Sequence, residues 1–124
     1  MPINQTAVHS VYGEQTTAAS PETVVLSVDG IPAAGIAVPA ATRLVISDAI
    51  YHATAPGLFT LEVDRGAGFK AIANLGFNSP GLSEAMTLNT GIVVEGGPGV
   101  VFRVQVTTLI GTSVNITLRS YTEN

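Results

Sequence analysis

The sequence predicts an all-β fold, a jelly-roll-like antiparallel β-sandwich of about eight to nine strands with an extended N-terminal arm. Apolar and polar residues alternate in several segments, as in 102–107, which is the pattern of a strand with one buried face. Clusters of Gly and Pro interrupt these segments about every eight to twelve residues. No segment keeps a helical period long enough to form a stable helix.

The chain divides into an arm, residues 1–21, and one sandwich domain, residues 22–124. Its 124 residues suffice for a single domain. The first 21 are mostly small and polar, with one short alternating patch at 7–12. We therefore expect an extended arm that contacts a partner. Its candidate contact residues are Ile3, Val8, Val11 and Tyr12.

From residue 22 onward, the chain consists of strand segments separated by turn residues. Gly supplies positive φ and Pro fixes φ, so clusters such as Gly96-Gly97-Pro98-Gly99 predict chain reversals. The segment 68–75 is the best helical alternative, but it is short and begins with Gly, which favours a strand. The predicted strands are 22–28, 34–38, 43–52, 58–64, 68–75, 83–88, 91–95, 100–108 and 112–121.

Composition limits the classes of function. The chain has no Cys, which excludes disulfides, thiolate metal sites and Cys nucleophiles. The net charge of −4 argues against nucleic acid, because binding to phosphates needs clustered cations. No apolar segment is long enough to span a membrane, and the N-terminal residues have neither the basic start nor the apolar run of a secretory signal. We expect neither nucleic acid nor a membrane as a partner.

One glycine pattern resembles a dinucleotide-binding motif. The segment 66–71 fits Gly-x-Gly-x-x-Gly/Ala and follows a predicted strand. A dinucleotide site also needs a long helix that begins at these glycines, and the sequence predicts none. A tight hairpin between strands 58–64 and 68–75 explains the same glycines.

Two pairs of polar residues are candidates for chemistry. Asp48 and His52 would share a face of a helix, but in a strand they lie about 13 Å apart. Glu62 and Asp64 lie about 7 Å apart on one strand face, a separation that a glycosidase could use. Both carboxylates fall on the polar face beside Arg65, which favours ordinary surface charges. We expect no enzyme activity, no metal and no cofactor.

A carbohydrate-binding module is an alternative because it shares the β-sandwich architecture. Sugar rings usually bind on exposed aromatic faces, yet the chain has no Trp, and Phe59 and Phe102 belong to the predicted core. The aromatic candidates that remain for a sugar include Tyr51 and Tyr121.

Several strand positions that should face solvent are apolar. Exposed apolar patches are rare on monomers, and the cores of subunit interfaces are depleted in charge, as is this chain. The pattern therefore predicts a homo-oligomer. The candidate interface residues are Val25, Val45, Ile72, Val93 and Val101.

The succession of strand and turn segments over roughly residues 42–121 resembles the small jelly-roll proteins of tailed-phage virions. Among these it is most similar to head decoration, or cement, proteins. The segments that carry the resemblance are 43–51, 57–61, the Gly-x-Gly hairpin at 66–68, 88–92 and 99–104.

The resemblance implies a structural role without catalysis. Proteins of this family form trimers on the outer capsid surface, contact the major capsid protein and reinforce the shell. It implies that the chain is a virion protein on the capsid exterior, with residues 1–21 as the capsid-contacting arm. A tail or fibre component, or a receptor-binding head, is the alternative within the same fold.

Overall fold

The computed structural model describes the backbone of residues 6–77 and 83–123, and the side chains of residues 11–76 and 91–123. Every regular element in these ranges is a β-strand, which confirms the predicted all-β class. No helix among the described residues is long and apolar enough to cross a membrane. The strands are β1 (Thr6–Thr16), β2 (Glu22–Thr23), β3 (Leu26–Val28), β4 (Ile31–Ala33), β5 (Ile36–Ala37), β6 (Arg43–Ala53), β7 (Gly57–Asp64), β8 (Phe69–Phe77), β9 (Ser83–Glu95), β10 (Val101–Thr108) and β11 (Ser113–Glu123).

The strands form two antiparallel sheets that pack as a sandwich. The six-stranded sheet has the order β4-β3-β1-β11-β6-β9. The five-stranded sheet has the order β2-β10-β7-β8, and β5 also pairs with β10. With β2 and β5 counted as one edge strand, the first strand lies beside the last, and consecutive long strands change sheets, except for the β7–β8 hairpin, as in a jelly roll.

The segment predicted as an arm is largely a central strand of the six-stranded sheet. Strand β1 pairs with β11 from Thr6 opposite Glu123 to Thr16 opposite Ser113, and its other edge pairs with β3. Pairing with β11 along the whole strand, and with β3 at residues 11–13, satisfies backbone groups of a segment that contributes few apolar side chains. The arm prediction is therefore wrong for Thr6–Thr16, and Ile3 lies outside the described residues.

The core lies between the sheets and follows the predicted alternation. Phe59 and Phe102 are fully buried, as are the inward residues of β10 and β11. The rings of Tyr51 and Phe59 meet edge to face, with centroids 5.8 Å apart, and the Tyr51 hydroxyl donates a hydrogen bond of 3.0 Å to the carbonyl of Gly76. This contact joins the six-stranded sheet to β8 of the other sheet.

The glycine pattern at 66–71 forms the β7–β8 hairpin, as predicted. Asp64 pairs with Phe69, and the Asp64 carboxylate accepts hydrogen bonds from the amides of Gly66 (2.7 Å) and Gly68 (3.2 Å). Both glycines have positive φ. The turn therefore needs them for its backbone, and the segment after it is a strand rather than the helix of a dinucleotide site.

The two predicted strands 83–88 and 91–95 are one continuous strand, β9. The register of β9 against β6 shifts between Ile46 and Asp48 of β6. Gly91, which has a φ of 71°, lies in the part of β9 opposite this shift. The sequence predicts a chain reversal where the structure has an irregularity within a strand.

Candidate interaction surfaces

The carboxylates of Glu62 and Asp64 both take part in structural contacts on the outer side of the five-stranded sheet. Glu62 Oε1 lies 2.8 Å from Nε of Arg103. The Arg103 guanidinium in turn lies 3.6 Å from the ring centroid of Phe69. Asp64 holds the hairpin described above. The geometry favours the interpretation of surface charges that support neighbouring strands.

Asp48 and His52 lie on the same outer face of β6 without meeting. Asp48 Oδ2 is 3.8 Å from Nη1 of Arg119, whereas His52 pairs across the strands with Asn115. His52 lines a shallow depression of about 320 Å³ together with Glu14 and Gln15. Within the described residues, no group of three or more acidic or His side chains is placed to hold a metal ion.

The aromatic residues proposed for sugar binding are poorly placed. Tyr51 is only 3% exposed and belongs to the core, so that candidate is wrong. Tyr121 is half-buried. Tyr12 is exposed, and its hydroxyl donates a hydrogen bond to Glu14. That hydrogen bond, with the nearby negative charge, raises the pKa of Tyr12 above its ordinary 10.0.

Two of the four predicted contact residues of the arm have described side chains, and these lie on opposite faces of β1. Val11 is 1% exposed and packs in the core, so its assignment as a partner contact is wrong. Tyr12 faces outward. The backbone of Val8 pairs with Tyr121.

The five predicted interface residues do not form one patch. Val25, Ile72 and Val93 are exposed by 53%, 42% and 46%, and Val101 is half-buried on the five-stranded sheet. Val45 is only 6% exposed, so its assignment as an exposed contact is wrong. Val45 pairs with Tyr121 on one neighbouring strand and with Val93 on the other. Its Cγ1 lies against Gly91, where a side chain at that position would otherwise stand.

Ile72 and Val93 lie on the two strands that end the sheets on one side of the sandwich, which we call the β8–β9 side. Among the described strands, β8 pairs only with β7, and β9 only with β6. Short turns join β6 to β7 and β10 to β11, so the sheets are aligned and the free edges of β8 and β9 lie on the same side. Long free edges with aliphatic side chains are favourable sites for association with another chain.

The two ends of the sandwich differ in charge. At the uncharged end, the loops 17–21, 54–56 and 109–112 contain no acidic or basic residue. The exposed aliphatic residues Leu109 and Ile110 lie in the last of these loops. The sequence alone does not single them out, because they lie in a predicted turn, where exposure is ordinary.

The opposite end of the sandwich, the charged end, contains a group of ionic contacts. Arg43 pairs with Glu123 and lies 3.8 Å from Glu95. Nη1 of Arg65 donates a hydrogen bond of 2.9 Å to the carbonyl of Glu95. The two ends of the sandwich along the strand direction therefore differ: ionic groups lie at one end, and small or aliphatic side chains at the other.

Comparison with known proteins does not assign the chain to a family. No family model matches the chain, and no curated protein matches it.

Proposed function

We propose that this protein is a structural component of a virus particle, a decoration protein that binds the outer surface of a tailed-phage head as a homo-oligomer, with a trimer as the expected state. The observation that carries the proposal is the β8–β9 side, where two free strand edges carry the exposed aliphatic residues Ile72 and Val93. The jelly-roll order of the strands and the resemblance of residues 42–121 to head decoration proteins supply the class of assembly.

Association through the β8–β9 side explains why an apolar surface occurs on a chain of low charge. Burial of Ile72 and Val93 between copies removes aliphatic surface from water, and the free edges offer backbone donors and acceptors to a second chain. Two of the charged side chains of the five-stranded sheet, Glu62 and Arg103, pair with each other.

A decoration protein stabilises a shell through binding alone. A protein that binds the assembled shell more tightly than its separated subunits shifts the equilibrium toward the shell. Several copies held in one oligomer bind with an effective concentration that makes complete release slow. No reacting group is needed for this role.

The oligomer is expected to dissociate when charge is introduced on the β8–β9 side. The double variant Ile72→Lys/Val93→Lys would bury two unpaired ammonium groups in the interface, at a cost of several kcal/mol. Light scattering coupled to size exclusion should show the wild type as an oligomer, expected to be a trimer, and the variant as a monomer.

The matched control is Thr107→Lys, which adds a charge at an exposed position of the five-stranded sheet away from this side. It should leave the mass of the oligomer unchanged. A wild type that is monomeric at micromolar concentration would contradict the proposal, as would a double variant that keeps its full mass while folded.

Undecorated phage heads should take up the protein to a fixed stoichiometry. Once saturated, they should disrupt at a higher temperature than bare heads, because bound protein is lost when the shell comes apart. Calorimetry of heads with and without protein measures the shift, and electron microscopy of a labelled copy shows whether it lies on heads or tails. Heads that neither bind nor gain stability would overturn the decoration role, and label confined to tails would favour the tail component.

A further inference from the structure

Leu109 and Ile110 form an aliphatic pair that projects from the uncharged end. They are 70% and 69% exposed. They lie in a tight turn between β10 and β11, in which the amide of Thr112 donates to the carbonyl of Leu109 and Gly111 has φ of 88°. Positive φ at this glycine is what a type II turn requires.

This turn is tied firmly to the end of β1. Thr17 and Thr112 are each 3% exposed. The Thr17 hydroxyl donates to the carbonyl of Leu109 (2.9 Å) and accepts from the amide of Thr112 (3.0 Å), while the amide of Gly111 donates to the carbonyl of Thr17 (2.8 Å). The backbone beneath the aliphatic pair is therefore fixed before any partner binds, which lowers the entropy lost on binding.

The surroundings of the pair determine the kind of partner that fits. The neighbouring loops 17–21 and 54–56 consist of Ala, Pro, Ser and Thr. Glu22, at the start of β2, turns its carboxylate to the amide of Ala18. The loops 17–21, 54–56 and 109–112 carry no cation, and the nearby carboxylates include Glu14 as well as Glu22. These loops therefore offer no positive charge to the phosphates of nucleic acids or lipid headgroups.

We propose that the uncharged end is the surface that docks on the shell, with Leu109 and Ile110 inserted into an uncharged apolar recess of a capsid protein. This inference rests on the proposed function and assigns its contact surface. The turn lies two strands inward from the β8–β9 side, so an oligomer formed through that side leaves it free. In a cyclic oligomer whose axis runs along the strands, every copy presents this end on the same face, which makes docking multivalent.

The test compares three proteins in co-sedimentation with undecorated heads: wild type, Leu109→Ser/Ile110→Ser, and Ile31→Ser. Ile31 is as exposed as Leu109, at 70%, but lies on β4 at the outer edge of the six-stranded sheet. Loss of two buried aliphatic side chains should weaken binding on the order of 100-fold, whereas Ile31→Ser should bind within about twofold of wild type. Thermal melting and light scattering verify that each variant keeps its fold and oligomeric mass.

The outcomes separate the two proposals. If the wild type binds heads and the folded double variant binds equally well, the docking surface is wrong while the decoration role stands. Equal losses in the double variant and in Ile31→Ser also overturn the surface. If the wild type does not bind heads, the decoration role fails and the docking surface fails with it. The wild type could instead bind uncharged phosphatidylcholine vesicles, with binding lost in the double variant. That result would overturn the capsid recess as the partner of this end and show a lipid surface in its place.

Discussion

Replacement of Phe59 by alanine is expected to lower the free energy of unfolding by about 3–5 kcal/mol. The Phe59 ring is fully buried between the sheets and meets Tyr51 edge to face. Its removal leaves a cavity that the flanking strands cannot close, because backbone pairing holds them in place. Chemical denaturation at one fixed subunit concentration measures the loss, since the stability of an oligomer depends on concentration.

Leu109→Ala is the matched control for this experiment. It also removes a large apolar side chain, but one that is 70% exposed, so its effect should stay within about 0.5 kcal/mol. Similar losses in the two variants would show that Phe59 does not occupy a core position between the sheets.

Gly96→Ala is expected to destabilise the fold by about 3 kcal/mol, although it adds only a methyl group. A Cβ at this position would overlap the carbonyl oxygen of Pro39 and lie 2.5 Å from that of Thr42. Both obstacles are backbone atoms, and the amide of Gly96 donates to that same Thr42 oxygen at 2.8 Å. The two loops must therefore separate, which breaks their mutual hydrogen bonds.

Gly76→Ala provides the comparison, because a Cβ there meets nothing within 4 Å. The variant keeps the carbonyl that accepts the Tyr51 hydroxyl, and alanine is better suited than glycine to a strand. Its stability should equal or slightly exceed that of the wild type in thermal unfolding. A folded Gly96→Ala protein with wild-type stability would contradict the close packing of these loops.

The sequence predicts the strands that carry a regular alternation, because alternation reflects burial on one face. The sites of Phe59 and Phe102 follow directly from it. Strand β1 has only the short alternating patch at 7–12. Its buried positions among the side chains the structure describes are Val11 and Gly13, and a Cβ on Gly13 would approach Val24 to 2.5 Å. Its place in the sheet comes from pairing with β11, which lies far away in the chain. A local sequence pattern does not predict such a pairing.

The interface residues show the same limit at the level of side chains. Val45 does lie on the outward face, as the alternation predicts, but its neighbours across the strands cover it. Whether an outward side chain is exposed depends on which residues lie beside it on the neighbouring strands. The local pattern of the sequence does not show this register. Leu109 and Ile110 become conspicuous only when the loops of one end are seen together and found to be uncharged.

The pairing of β1 with β11 has a consequence for synthesis on the ribosome. Residues 6–16 emerge early, yet the strand that completes their pairing is residues 113–123, so the six-stranded sheet cannot close until both are outside the exit tunnel. Because pairing between such distant segments slows folding in general, we expect this chain to fold in milliseconds to seconds rather than microseconds. During that interval the nascent β1 edge is open to other chains, and this is the stage at which a chaperone has most to protect.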